Sequence, residues 1–178
     1  MALALVNTDL QPRGERVDLL PNASVLARWL RERGSTGGRP VRVGDQDVER
    51  MRELRTAIRR AFIARVAGTR PPRDALATIN AAAALVACAP WLRWSGGGLV
   101  AETRWAQGAR LADVAFATIA LNAVSVLVGE RGDRLRLCEA HGCNRMFIAD
   151  HRRRRWCSRT CGDRVRVARH YRNRDRSR

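Results

Sequence analysis

Four of the five cysteines of this 178-residue chain fall in one stretch, CEAHGCNRMFIADHRRRRWCSRTCGDR, residues 138–164. They form two close pairs. Four residues separate Cys138 from Cys143, three separate Cys157 from Cys161, and thirteen lie between the pairs. Two close pairs joined by a loop is how a chain delivers four sulfurs to about 2.3 Å from one ion. A turn suits the first pair. A helix start suits the second, because its free amides also point at the thiolates, and Gly162 lets the backbone pass close by. Three readings compete: a structural zinc site, disulfides, and a redox or mixed-ligand arrangement in which His141 or His151 replaces a cysteine. The spacing favours Zn2+ held by Cys138, Cys143, Cys157 and Cys161, and a reducing compartment favours metal over disulfide. Four thiolates fill the coordination sphere, so the expected centre has no open position for catalysis.

Positive charge is packed among these cysteines. The chain carries 34 arginines, no lysine and a net charge of +17. Codon bias raises arginine everywhere, but it does not concentrate it. Residues 131–178 hold 16 Arg against 5 acids, a net +11, whereas residues 1–130 hold 18 against 12, a net +6. A basic C-terminal third reads as a polyanion-binding surface; a solvated tail is the plainer alternative. Guanidinium groups bind phosphate in bidentate fashion. The candidates are Arg152, Arg153, Arg154, Arg155 and Arg159 around the second cysteine pair. Arg164, Arg166, Arg169, Arg172 and Arg174 follow on a helix after Cys161. A four-thiolate zinc has a formal charge of −2, so some of these arginines are expected to offset the site instead. Val165 and Ala168 of that helix would pack on the metal module, with Phe147 and Trp156 as its core aromatics.

The elements that must hold this module come before it, in about 130 residues, enough to bury a core of their own. Residues 1–20 read as irregular, with a turn at Pro12 and Gly14. A helix follows from Ala23 to Arg33, capped by Asn22 and ended by Gly34, with Val25, Leu26, Trp29 and Leu30 on one face. GSTGGRP, residues 34–40, is a link. The spacing of Val48, Met51, Leu54, Ile58 and Phe62 predicts a second helix over 47–67, with Asp45 near its cap and its arginines mostly off the apolar stripe. Pro71 and Pro72 open a third helix, expected to reach Cys88, a lone cysteine read as a buried small apolar residue. Three glycines between Leu92–Ser95 and Leu99–Glu102 predict a β-hairpin. Residues 110–128 are apolar nearly all round and predict the central buried helix. Gly129 and Gly132 mark the boundary. The expected class is mainly α: a helical domain over 1–130 with a small β-hairpin, then a small four-cysteine zinc-finger module over 131–178 ending in a basic helix.

The stretch RLRLCEAHGCNRMFIADHRRRRWCSRTCGDRVRVARHYRNR resembles the CGNR zinc finger. Phe147, Asp150 and Arg154-Arg155-Trp156-Cys157 match that family's pattern. The closing tetrapeptide reads Cys161-Gly162-Asp163-Arg164, with Asp where the family has Asn, and the loop before Arg154 is shorter than usual. Upstream, LVNTDL, SVLARWLRERG, VERMRELRTAIRRAFIARV and LADVAFATIALNAVSVLVGE resemble the helical domain that accompanies this finger in bacterial proteins described as stress-induced transcription regulators. The resemblance covers nearly the whole chain. It implies a zinc-dependent DNA-binding regulator whose N-terminal domain senses a small-molecule inducer or forms a homodimer. Asn7 and Thr8 match a recurring Asn-Thr of that domain. With Arg55 they are the candidates for a ligand pocket, against a turn-capping role for the first two and a surface charge for the third.

Two other classes compete. The charge pattern does not separate DNA from RNA, although RNA modules more often expose several aromatics on a platform. A protein-interaction zinc module is a further alternative. Catalysis is not expected, since all three histidines, 141, 151 and 170, lie in the finger. The first residues lack the basic leader of a signal peptide, and the uncharged run 114–128 is too short to span a bilayer. The expected location is the cytoplasm, without a membrane.

Overall fold

The computed structural model describes residues 1–11, 15–34, 37 and 39–176, and side chains as far as His170. The elements run α1 (Ala2–Val6), β1 (Asp9–Leu10), β2 (Val17–Asp18), α2 (Ala23–Glu32), α3 (Asp45–Ala67), α4 (Arg73–Ala83), β3 (Cys88–Ser95), β4 (Gly98–Trp105), α5 (Leu111–Val128), α6 (Glu130–Asp133), β5 (Leu135–Leu137), β6 (Met146–Ile148) and α7 (Arg159–Arg176). Among the described residues the protein is mainly α with three two-stranded antiparallel sheets: β1–β2, β3–β4 and β5–β6.

The core is built on α3. Met51, Leu54, Ile58 and Phe62 are buried along its length, at the three-and-four spacing of the sequence. Leu26 and Leu30 of α2, Ala75 and Ile79 of α4, and Phe116, Ile119, Ala120 and Ala123 of α5 join the same cluster. The helix ends follow the expected chemistry. The Asn22 side chain accepts the Val25 amide, and Gly68 closes α3 in the left-handed conformation. Asp45 stands next to the N-cap Gly44 of α3, and the Asp47 side chain accepts the Gly44 amide at 3.0 Å. Its carboxylate also takes Arg110 at 2.9 Å, which ties the start of α3 to the start of α5.

Several expectations change. Residues 1–20 are not irregular: α1 buries Leu5 and Val6, and Asn122 of α5 accepts the Ala2 amide. Five residues are too few for a period to show, and long-range packing supplies what local propensity does not. The third helix stops at Ala83. Cys88 instead begins β3, paired with Trp105, and is exposed. That pairing is non-local, so the alanine run before it gave no sign of it. Helix α5 is long and apolar enough to cross a membrane by length and composition alone, but half of it is buried inside the protein. The rest is not, so it is central without being enclosed. The proposed turn at Pro12 and Gly14 and part of the 34–40 link lie outside the described residues.

Arg55 is the largest departure. It sits on α3 with a side chain 2% exposed. Its guanidinium donates twice to Asp18, at 2.7 and 2.8 Å, and to the Thr8 hydroxyl at 2.9 Å. Burial alone would raise the Asp18 carboxyl. The Arg55 hydrogen bonds, the Leu20 amide and the charge of Arg52 outweigh it and bring Asp18 down to about 2. A carboxylate depressed in the folded state stabilises fully above its unfolded value and loses that contribution as it protonates. Stability to denaturant is therefore expected to fall between about pH 4 and pH 2. Asp18→Ala is expected to remove that step in the profile and to cost about 3 kcal/mol, because it strands a buried cation. Arg60→Ala, which breaks only an exposed pair with Asp74, is expected to cost less than about 1 kcal/mol.

Candidate metal centre and nucleic-acid interface

The C-terminal module begins with β5 and β6, paired Leu135 to Ile148 and Leu137 to Met146. The strands carry the chain into the first cysteine pair and out of it. Cys138 donates its amide to the Arg145 carbonyl at 2.9 Å, and Cys143 donates to Ala140 at 3.0 Å. Between them Gly142 takes φ +68°, which a residue with a Cβ rarely adopts. The second pair uses a helix start, as expected. Cys157 lies just before α7, and Cys161 lies in its first turn with its amide donating to the Ser158 hydroxyl at 3.3 Å.

All four sulfurs lie within 4.8 Å of one another. Cys143 to Cys157 is 3.8 Å, and Cys157 to Cys161 is 3.6 Å. A tetrahedron with bonds of about 2.3 Å places its sulfurs about 3.8 Å apart, so the spacing fits one ion at the centre. No cysteine is in a disulfide, and among the described residues neither His141 nor His151 joins the cluster. The Cys157 amide donates to Cys138 Sγ at 3.3 Å, and Arg164 donates to Cys161 Sγ at 3.6 Å. The surroundings of the sulfurs differ. Burial raises the Cys143 and Cys157 thiols, and neighbouring thiols push Cys157 further up. Burial acts the same way at Cys161, but hydrogen bonds from Ser158 and from the other thiols bring it down to about 7. Four thiolates this close need a cation, and the donor set suits one that favours sulfur.

A small core supports the cluster: Cys138, Ala140, Phe147, Ala149 and Cys161, with Trp156 and Val165 against them. The expected place of Val165 is matched, whereas Ala168 is exposed. Gly162 is needed for space rather than for φ. A Cβ there would lie 3.1 Å from Trp156 Cε3.

The predicted phosphate-binding arginines divide into two groups. Arg154 is half-buried and structural. Its guanidinium lies over the Phe147 ring at 4.9 Å and donates to the Trp156 and Cys157 carbonyls at 3.1 and 2.8 Å and to Asp150 at 3.2 Å. Arg155 pairs with Glu139, Arg166 with Asp163, and Arg164 faces a sulfur. Asp163, the signature position that departs from Asn, is thus an exposed partner of its own helix. Arg152, Arg153, Arg159 and Arg169 are exposed and carry no ion pair among the described residues. Arg172 and Arg174 lie on α7, with side chains outside the described residues.

The three residues read as ligand candidates are engaged within the chain. Thr8 and Arg55 meet, but in the Asp18 network. Asn7 docks the module: its Nδ2 donates to the Met146 carbonyl at 2.8 Å, and its Oδ1 accepts the Met146 amide at 2.9 Å. Two docking residues were not legible as such. Arg59 of α3 donates to the Asn144, Val6 and Asp9 carbonyls at 2.8, 2.9 and 3.2 Å. Asn144 donates to Asp9 and accepts from the Gln11 amide. Leu135 and Met146 belong to the helical domain's core, so the module is seated on it. A cleft of about 360 Å³ runs along the seam, past the sulfurs, between Leu10–Gln11 and Arg145, Ser158 and Arg164.

Arg154→Ala is expected to speed metal loss to a competing chelator about 10-fold, the usual cost of removing support around ligands. Arg153→Ala is expected to leave that rate unchanged. Release followed with a colorimetric indicator distinguishes the two.

Residues 1–130 match the model of the ABATE family, described as "Putative stress-induced transcription regulator", and residues 134–174 match that of the CGNR zinc finger. None of the curated proteins matches the chain. With nearly three quarters of its length covered by the first model, the chain belongs to the ABATE family and carries a CGNR zinc finger after that domain.

Proposed function

We propose that the protein is a zinc-dependent, DNA-binding transcription regulator that works by binding rather than catalysis, in the cytoplasm. The observation that carries this reading is the division among the finger's arginines. Arg154, Arg155, Arg164 and Arg166 are engaged within the finger, whereas Arg152 and Arg153 on the loop and Arg159 and Arg169 on α7 stand exposed and unpaired among the described residues. Structural neutralisation accounts for Arg164 and not for these four. Spaced over a loop and a helix fixed by one ion, they suit contact with successive phosphates. Helix α7 is long enough to lie in a major groove, where its arginines would reach guanine edges.

Zn2+ is the ion this reading assigns, held by Cys138, Cys143, Cys157 and Cys161. It closes the knuckles and so fixes Arg159 relative to Arg152. The ABATE domain is the sensing or pairing part. Its hold on the finger through Asn7, Arg59 and Asn144 gives an inducer bound there a path to the arginines.

Removal of zinc by a strong chelator, or Cys161→Ser, is expected to abolish DNA binding and to leave most of the helical circular dichroism. Metal analysis should give one ion per chain before removal. Binding to upstream DNA of its own gene, a shuffled duplex and an RNA of equal length, each at several salt concentrations, tests the partner. Regulator function requires preference for the native duplex. Equal binding to all three, erased by salt, would sink it. Each arginine among 152, 153, 159 and 169 changed to alanine is expected to reduce the salt slope by about 0.9 where it meets a phosphate.

A further inference from the structure

The hairpin β3–β4 is not part of the finger, and the metal and DNA do not account for it. Eight residues pair with eight around a tight turn at Gly96–Gly97. Neither strand packs substantially on another described element. A lone two-stranded hairpin is marginal in water unless something covers it.

Alternation along the strands divides its two faces. Trp91, Arg93, Val100, Glu102 and Arg104 share one. There Arg93 and Arg104 both reach Glu102, at 3.2 and 3.4 Å, and Arg104 lies 4.0 Å over the Trp91 ring. That face is charged and solvated. The other carries Pro90, Leu92, Trp94, Leu99 and Ala101, with no charge. On it Leu92, Trp94 and Leu99 are 67%, 69% and 69% exposed. A sheet with this pattern buries its apolar face, and here that face is bare.

We infer that this face is where two copies of the chain pair, hairpin against hairpin, across a two-fold axis. Three observations favour a second copy. The face carries no charge and only Thr103, opposite Pro90, as a polar side chain, so it complements itself without an oppositely charged surface. Residues 84–109 carry only Arg93, Glu102 and Arg104, a net +1 in a chain of +17, so this is where two such chains meet with least repulsion. The face offers on the order of 500 Å² per copy, hence about 1,000 Å² when two meet, which reaches the size of a specific interface. Edge pairing is less favoured on β3. Counting outward from the Ser95–Gly98 pair at the turn, Pro90 falls where its nitrogen faces the outer edge, and it has no hydrogen to donate.

The test is the mass of the full, zinc-loaded chain in high salt, by sedimentation equilibrium up to about 100 µM. A dimer is expected. Trp94→Glu and Leu99→Glu, each placing a charge on the apolar face, are expected to weaken it at least about 100-fold. Arg93→Gln, on the solvated face, is expected to dimerise as the parent does. Both glutamate positions are exposed in the single chain, and unchanged circular dichroism with one bound metal verifies that each variant is folded. A parent chain that stays monomeric overturns the inference and leaves the face to another protein. Glutamate variants that dimerise like the parent overturn it as well.

Discussion

Two arginines one helical turn apart on α3, Arg55 and Arg59, place guanidinium groups inside the protein, and much of the remaining chain is arranged to satisfy them. A buried cation without partners is intolerable energetically. Arg55 therefore fixes β2 through Asp18 and the end of α1 through Thr8. Arg59, with three carbonyl acceptors and no carboxylate, fixes α1, β1 and Asn144 of the finger. Burial pulls its ionisation below the ordinary value while Asp9 acts the other way; it remains a cation. The Nη1 and Nη2 groups find these partners only when the N-terminal segment and the finger are both seated, so the constraint joins parts of the chain more than a hundred residues apart; the Nε of each arginine stays buried without a partner among the described residues.

The same seam explains how a module with only a small hydrophobic core of its own is held. A metal held by the four cysteines would close the knuckles, but it would not orient them relative to the helical domain. That is done by Asn7, which acts toward Met146 as a strand would, and by Leu135 and Met146, which place the finger's strands in the main core. Beyond the cysteines, Arg154 stitches Phe147, Asp150, Trp156 and Cys157 into one unit. A run of four arginines thus contains one that serves the fold beside two, Arg152 and Arg153, that face solvent. Charge counting along the sequence treats them alike, and only their neighbours separate them.

Arg55 and Cys88 show why local reading misplaces some residues. An arginine on an amphipathic helix is ordinarily solvated, and Arg55 is buried because a distant aspartate meets it. A cysteine after an alanine-rich run ordinarily ends a helix inside the core, and Cys88 is exposed because Trp105 recruits it into a strand. In both cases the deciding partner lies far along the chain, 37 residues away for Arg55 and 17 for Cys88. No periodicity within a window reports such a partner.

What the sequence determined by itself was set by spacing and by local backbone chemistry. The cysteine intervals favoured four sulfurs around one point. The three-and-four recurrence on α3 required a buried helix, and Asn22 and Gly68 set helix ends through bonds within one turn. Tertiary structure alone decided which polar groups are spent inside the protein: Asn7, Thr8, Arg55, Arg59 and Arg154 on the fold, Arg164 on a thiolate. It also left the hairpin's apolar face bare. A polar side chain is consumed or free according to what lies within about 3 Å of it, and that depends on how distant segments pack.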